Sequence, residues 1–139
     1  MGISSLTFSS GIQPTKPYNA GLYQTNAVLS TYYTVLNVTA GKGIVQRVAV
    51  ESFQSSSGFA NVAYLKIRFT VDGGTAIVID GSVGDSYLRG NLLTSARFSY
   101  DNLIFQSPVY FTKSILIEVI QTYNAPATYL SASVDYSLV

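Results

Sequence analysis

From residue 62 to 71 the chain alternates. Ala63, Leu65, Ile67, Phe69 and Val71 are apolar or small, and Tyr64, Lys66, Arg68 and Thr70 sit between them. Successive side chains of a strand point to opposite faces, so a period of two predicts a half-buried β-strand. Residues 130–138 repeat the pattern, with Leu130, Ala132, Val134, Tyr136 and Leu138 against Ser131, Ser133, Asp135 and Ser137. Further strands are predicted at 31–38, 43–53, 75–80 and 114–123, and one more between 96 and 112, near Phe105, Tyr110 and Phe111. No stretch keeps a helical period beyond one or two turns.

Turn residues separate these runs. Asp72-Gly73-Gly74 predicts a tight hairpin, because glycine supplies the positive φ that primed turns need. Ala40-Gly41-Lys42-Gly43 predicts a second hairpin between 31–38 and 43–53. Seven to eight short strands joined by turns predict an all-β fold, an antiparallel, jelly-roll-like β-sandwich over residues 31–139.

Residues 1–30 read differently. Gly, Ser, Thr and Asn dominate, Pro14 and Pro17 interrupt, and Lys16 is the single charge. This predicts an extended N-terminal arm. Its apolar residues Leu6, Phe8, Ile12, Tyr18, Leu22 and Tyr23 point to docking, either on the chain's own sandwich or on a neighbouring subunit. The strand at 114–123 is apolar on both faces, with Ile115, Ile117 and Val119 on one and Leu116 and Ile120 on the other. A strand apolar on both faces needs cover on both, and the arm or a partner subunit is expected to provide it. The arm residues together with Leu116 and Ile120 are therefore the candidate subunit contacts.

Composition sharpens this. Only 11% of the 139 residues are charged and the net charge is +1, against roughly 25% charged in an average soluble domain. Few charges and near-zero net charge favour association. Eleven Tyr and seven Phe point the same way, since Tyr suits surfaces that are apolar yet able to hydrogen-bond. A homo-oligomer, with its surface partly covered by neighbouring subunits, is expected. The eight basic residues are scattered, and only Lys66 and Arg68 share a strand face, which is no footprint for nucleic acid. No run approaches 18 consecutive apolar residues, so no membrane span is expected. Met1 to Ser10 lacks the basic and apolar regions of a secretory signal, and synthesis without export is expected.

Chemistry is sparse. There is no Cys and no His, which excludes disulfides, thiol nucleophiles, the usual serine-hydrolase triad and most zinc and iron sites. The carboxylates are Glu51, Asp72, Asp80, Asp85, Asp101, Glu118 and Asp135. Asp72 belongs to a turn, Asp80 and Asp85 flank a Gly-rich loop, and Glu51, Glu118 and Asp135 fall on strands, where outward solvated positions are normal. No catalytic pair and no cofactor are expected. Asp80-Gly81-Ser82-Val83-Gly84-Asp85 has the look of a calcium loop, but the closing Glu and flanking helices of an EF-hand are missing, and turn chemistry explains it better. Gly41-Lys42-Gly43 lacks the upstream glycine and the Ser or Thr of a phosphate loop. Asn37-Val38-Thr39 fits the glycosylation triplet but falls within a predicted strand. Tyr32, Tyr33, Tyr64, Tyr87, Tyr100, Tyr110, Tyr123 and Tyr129 could offer stacking platforms to sugars, although packing and subunit contacts explain tyrosines as well.

The segment from Tyr33 to Gly43, followed by Leu65-Lys66-Ile67-Arg68-Phe69-Thr70-Val71-Asp72-Gly73-Gly74-Thr75, resembles small β-sandwich structural proteins of tailed bacteriophages. The resemblance spans residues 31–80, and Ala40 interrupts the usual spacing of its first turn. It implies a virion component, a capsid decoration or fibre protein or a tail or baseplate piece, assembled as a ring or trimer in the host cytoplasm with itself and other virion proteins. It implies no catalytic residue. The alternative function is a carbohydrate- or receptor-binding module of a phage tail or cell-surface adhesin, with a host-surface glycan as partner.

Overall fold

The computed structural model describes residues 16–54, 58–59, 64–81, 96–98, 102–122 and 127–139. Eleven strands run through them: β1 Lys16–Ala27, β2 Tyr33–Val38, β3 Gly43–Gln54, β4 Gly58–Phe59, β5 Leu65–Val71, β6 Ile77–Asp80, β7 Ala96–Phe98, β8 Asn102–Phe105, β9 Val109–Phe111, β10 Ile115–Gln121 and β11 Ala127–Leu138. Every pairing among them is antiparallel. Seven strands form one sheet in the order β1-β11-β3-β8-β7, with β4 and β9 also on β3, and four form the other in the order β2-β10-β5-β6. The fold is the all-β antiparallel sandwich that the alternating pattern predicts.

The core lies between the sheets. Val48, Val50, Leu103, Phe105, Leu130 and Val134 fill it from the larger sheet, and Leu65, Ile67, Ile79, Ile115, Ile117 and Val119 from the smaller. Phe69 and Phe105 meet across it with ring centroids 5.2 Å apart and planes tilted by 57°, an arrangement that brings ring edge toward ring face. Ser52 and Gln121 bring polar groups into the core: both are buried, and the Ser52 hydroxyl donates to Gln121 Oε1 at 2.5 Å. Ser52 is on β3 and Gln121 on β10, so this bond ties one sheet to the other.

Two bulges adjust the alternation. Ile117 pairs with Leu36 but Glu118 pairs with Thr34, so Val35 is an extra residue in β2, and Val35 and Leu36 are both buried. Asp135 pairs with Arg47 but Tyr136 with Val45, so Gln46 is extra in β3, and Val45 and Val48 both reach the core. An inserted residue resets which face each side chain takes.

The hairpin at Asp72-Gly73-Gly74 is present. Asp72 and Gly73 have φ of 54° and 71°, and the Gly74 amide donates to the Val71 carbonyl at 2.9 Å, the pattern of a type I′ turn. The second expected hairpin is not one. β2 and β3 belong to different sheets, so residues 39–42 cross from sheet to sheet, anchored by Gly41 N–H donating to the Lys113 carbonyl and Val139 N–H to the Lys42 carbonyl. Gly43 follows under a tight constraint, because a Cβ there would collide with the Ser137 carbonyl oxygen. The strand expected between 96 and 112 is three short ones, β7, β8 and β9. Pro108 stands between the last two and has no amide to donate to a ladder.

Within the segment read as an arm, residues 16–27 are a full strand. β1 pairs with β11 from Lys16↔Leu138 to Ala27↔Ala127, and Ala20 and Leu22 pack against the core. Leu6, Phe8 and Ile12 lie outside the described residues.

Candidate interaction surface

The three long neighbours β1, β11 and β3 form a broad outer face on the larger sheet. Register sets its features. Tyr129 pairs with Phe53, and their rings stack at 5.4 Å with planes 17° apart. Tyr23, on β1, stacks on the other face of this pair's tyrosine: Tyr23 and Tyr129 lie 4.8 Å apart at 24°. The result is a ladder of three rings running across three strands, the arrangement cross-strand aromatic neighbours favour. Burial pushes the Tyr129 hydroxyl above its ordinary pKa, helped by the Glu51 carboxylate and by Tyr23. Tyr23 ends the ladder with 65% of its surface exposed. A second pair, Tyr18 and Tyr136, stacks at 5.3 Å near the other end of β1, on the inner side of the sheet, where Tyr136 packs against the edge of the core.

Beside the ladder the surface is polar and shallow. A depression of about 270 Å³ is lined by Arg47, Ala49, Glu51, Asn102, Ser131 and Ser133, among others. A second, of about 480 Å³, lies where Gln46 bulges, beside Tyr18, Asp135 and Tyr136. Asp135 is occupied: Asn19 Nδ2 donates to it at 2.7 Å and Arg47 lies 3.9 Å away.

The outer face of the smaller sheet is neutralised internally. Arg68 bonds Glu118 through Nε at 2.9 Å and a terminal nitrogen at 2.8 Å, and its guanidinium lies 3.6 Å over the Tyr32 ring. Lys66 stands 3.4 Å from Asp80. The two cations that share a strand face are thus each engaged by a carboxylate. Ile120, one of the candidate contacts, is only 6% exposed within the single chain, and Leu116 is half-buried. Of the arm candidates described, Tyr18 and Tyr23 are exposed and Leu22 faces the core.

Each of the two depressions on the larger sheet is lined by one carboxylate, Glu51 in the first and Asp135 in the second. Asp72 works inside the fold: its carboxylate accepts from the backbone amides of Ser114 at 3.0 Å, Lys113 at 2.7 Å and Thr112 at 3.0 Å, and from the Thr112 hydroxyl. The Ser114 amide, with those of Lys113 and Thr112 and against the cost of desolvation, holds its pKa at about 2, below the ordinary 3.8. It thereby clamps the crossover from β9 to β10. Among the described residues no three His, Cys, Asp or Glu come together to hold a metal, and no helix is long and apolar enough to cross a membrane. Asp85, Asp101, Tyr87, Tyr100 and Tyr123 lie outside the described residues.

No protein-family model and no curated protein matches the chain. Solved structures do. A chain of the acidic stable capsid structure of Helicobacter pylori bacteriophage KHP30 matches with a TM-score of 0.50 at 13% identity, covering 91% of this chain and 94% of that one. A chain of the cyanophage Pam1 capsid asymmetric unit matches with a TM-score of 0.44 at 16% identity, covering 89% and 84%. At 13% identity the first likeness shows a shared fold along nearly the whole of both chains.

The aromatic ladder was not visible from spacing. Phe53 and Tyr129 become neighbours only through the register of β3 on β11, and Tyr23 only through that of β1.

Proposed function

We propose that this chain is a structural protein of a bacteriophage virion, set in the capsid shell and working through contacts with its own copies and with other virion proteins. The observation that carries the reading is the fold shared with a phage capsid chain of nearly the same extent, 91% of one covering 94% of the other. Three features of the chain support it. The charged fraction is 11%, the described carboxylates other than Glu51 have structural partners, and the broad outer face of β1, β11 and β3 carries exposed Tyr. The apolar residues Leu6, Phe8 and Ile12 ahead of β1 are further subunit contacts in this reading. A place in the capsid fits better than a tail role because the matched chain belongs to a capsid structure.

The test is the native mass of the purified full chain over a wide concentration range, by size-exclusion chromatography with light scattering. A defined oligomer is expected. A monomer at every concentration would contradict self-assembly.

A further inference from the structure

β1 closes the larger sheet on one side, with β11 on its inner edge and no described strand on its outer edge. By strand geometry alternate residues of β1 aim their N–H and C=O groups outward along that edge. Natural proteins blunt such an edge with charge, proline or shortness. β1 has 12 residues, and from Tyr18 to Ala27 it holds neither a charged residue nor a proline. At its middle, Tyr23 exposes 65% of its surface as the last ring of the Phe53–Tyr129–Tyr23 ladder.

We infer that the outer edge of β1 pairs antiparallel with β1 of a second copy about a two-fold axis at Tyr23, joining two larger sheets into one and two ladders into a run of six rings. This deepens the capsid reading and rests on it. The occupant is a second copy for three reasons. An uncharged strand meets its own image without repulsion. Tyr129 and Phe53, directly opposed in the antiparallel pair of β11 and β3, stack at 5.4 Å, the spacing at which two Tyr23 residues opposed on the axis would stand. The register is also tolerant of the strand's ends. With Tyr23 on the axis Gly21 opposes Thr25, and Pro17 falls opposite Leu29, past the end of β1 at Ala27. The missing proline N–H is then not required, and Asn26, at φ 51°, falls opposite Ala20, so that regular pairing runs from Gly21 to Thr25.

The chain has no cysteine, so engineered thiols report pairing without background. Under mild oxidation of the full-length protein, Tyr23→Cys is expected to form a disulfide dimer and Gly21→Cys alone is not. A mixture of Gly21→Cys with Thr25→Cys, which keeps both Tyr23 rings, is expected to form the cross-linked heterodimer. Failure of both Tyr23→Cys and the mixture in a protein that still assembles to high native mass would overturn the pairing and leave the capsid reading standing. A protein that stays monomeric throughout would overturn both. The double variant Phe8→Cys/Tyr23→Cys tests the competing occupant: an internal disulfide in place of the dimer would assign the edge to the chain's own N-terminal segment and overturn the inference.

Discussion

Ser52 carries one hydroxyl in the middle of an otherwise apolar contact between two sheets, and replacing it by alanine should be costly for a change of one atom. Ser52 is 0% exposed and Gln121 2% exposed, so neither has water to turn to. In Ser52→Ala the amide oxygen of Gln121 loses the donor it holds at 2.5 Å. Leaving a buried acceptor without its partner costs about 1–3 kcal/mol, and the void left by one oxygen is smaller than a methyl group and adds little. A loss of about 2 kcal/mol is a sizeable share of the roughly 5–15 kcal/mol that holds a domain folded. With a urea slope of about 2 kcal/mol/M for a small domain, the midpoint should fall by about 1 M. The assay is equilibrium urea unfolding followed by tyrosine fluorescence, at one fixed protein concentration because assembly adds apparent stability by mass action. Ser52→Cys should fall between, since a thiol is a weaker donor. A change below about 0.5 kcal/mol in Ser52→Ala would refute the idea that this bond matters to how the sheets are held together.

Three other outcomes are expected. Gly43→Ala places a Cβ against the Ser137 carbonyl oxygen, with no flexible side chain to give way, and should abolish soluble expression or lower the melting temperature more than Ser52→Ala does. Glu118→Gln removes the charge that two Arg68 nitrogens reach; the pair is partly exposed, so unfolding should show a loss of about 1 kcal/mol that shrinks at 1 M salt. Asp72 has a folded pKa of about 2 against an ordinary 3.8, so its contribution is fully present above pH 4 and is lost as pH falls through 2. Asp72→Asn should be less stable than the wild type at pH 7, and acid titrations of the two should converge between pH 4 and 2; parallel curves over that interval would contradict the clamp.

The strands at 65–71 and 127–138 were legible because a buried face and a wet face force alternation. The turn at 72–74 was legible because Asp-Gly is the pair that accepts positive φ at both positions. What failed was partnership. Nothing in the alternation of 33–38 and 43–54 tells whether the next strand lies beside the first or above it, and the Gly41-Lys42 link fits a crossover as well as a hairpin. Bulges at Val35 and Gln46 break the period locally, and only pairing shows where the extra residue sits. β1 was hidden for another reason: Pro17, Gly21 and several small polar residues weaken its pattern, and its stability comes from β11 at the far end of the chain. The aromatic groupings were only partly legible: Tyr18 and Tyr23 stood out as apolar residues of the N-terminal segment, whereas their stacking with Tyr136 and Tyr129, and that of Tyr129 with Phe53, depends on register. In the doubly apolar strand, Ile120 is covered within the single chain.

The most direct test of the central claim is quantitative mass spectrometry of intact, gradient-purified phage particles from a culture that produces this chain. A capsid structural protein should be present at tens to hundreds of copies per particle and remain after washing in high salt. Its absence from particles, with the protein recovered only free in the lysate, would contradict the account.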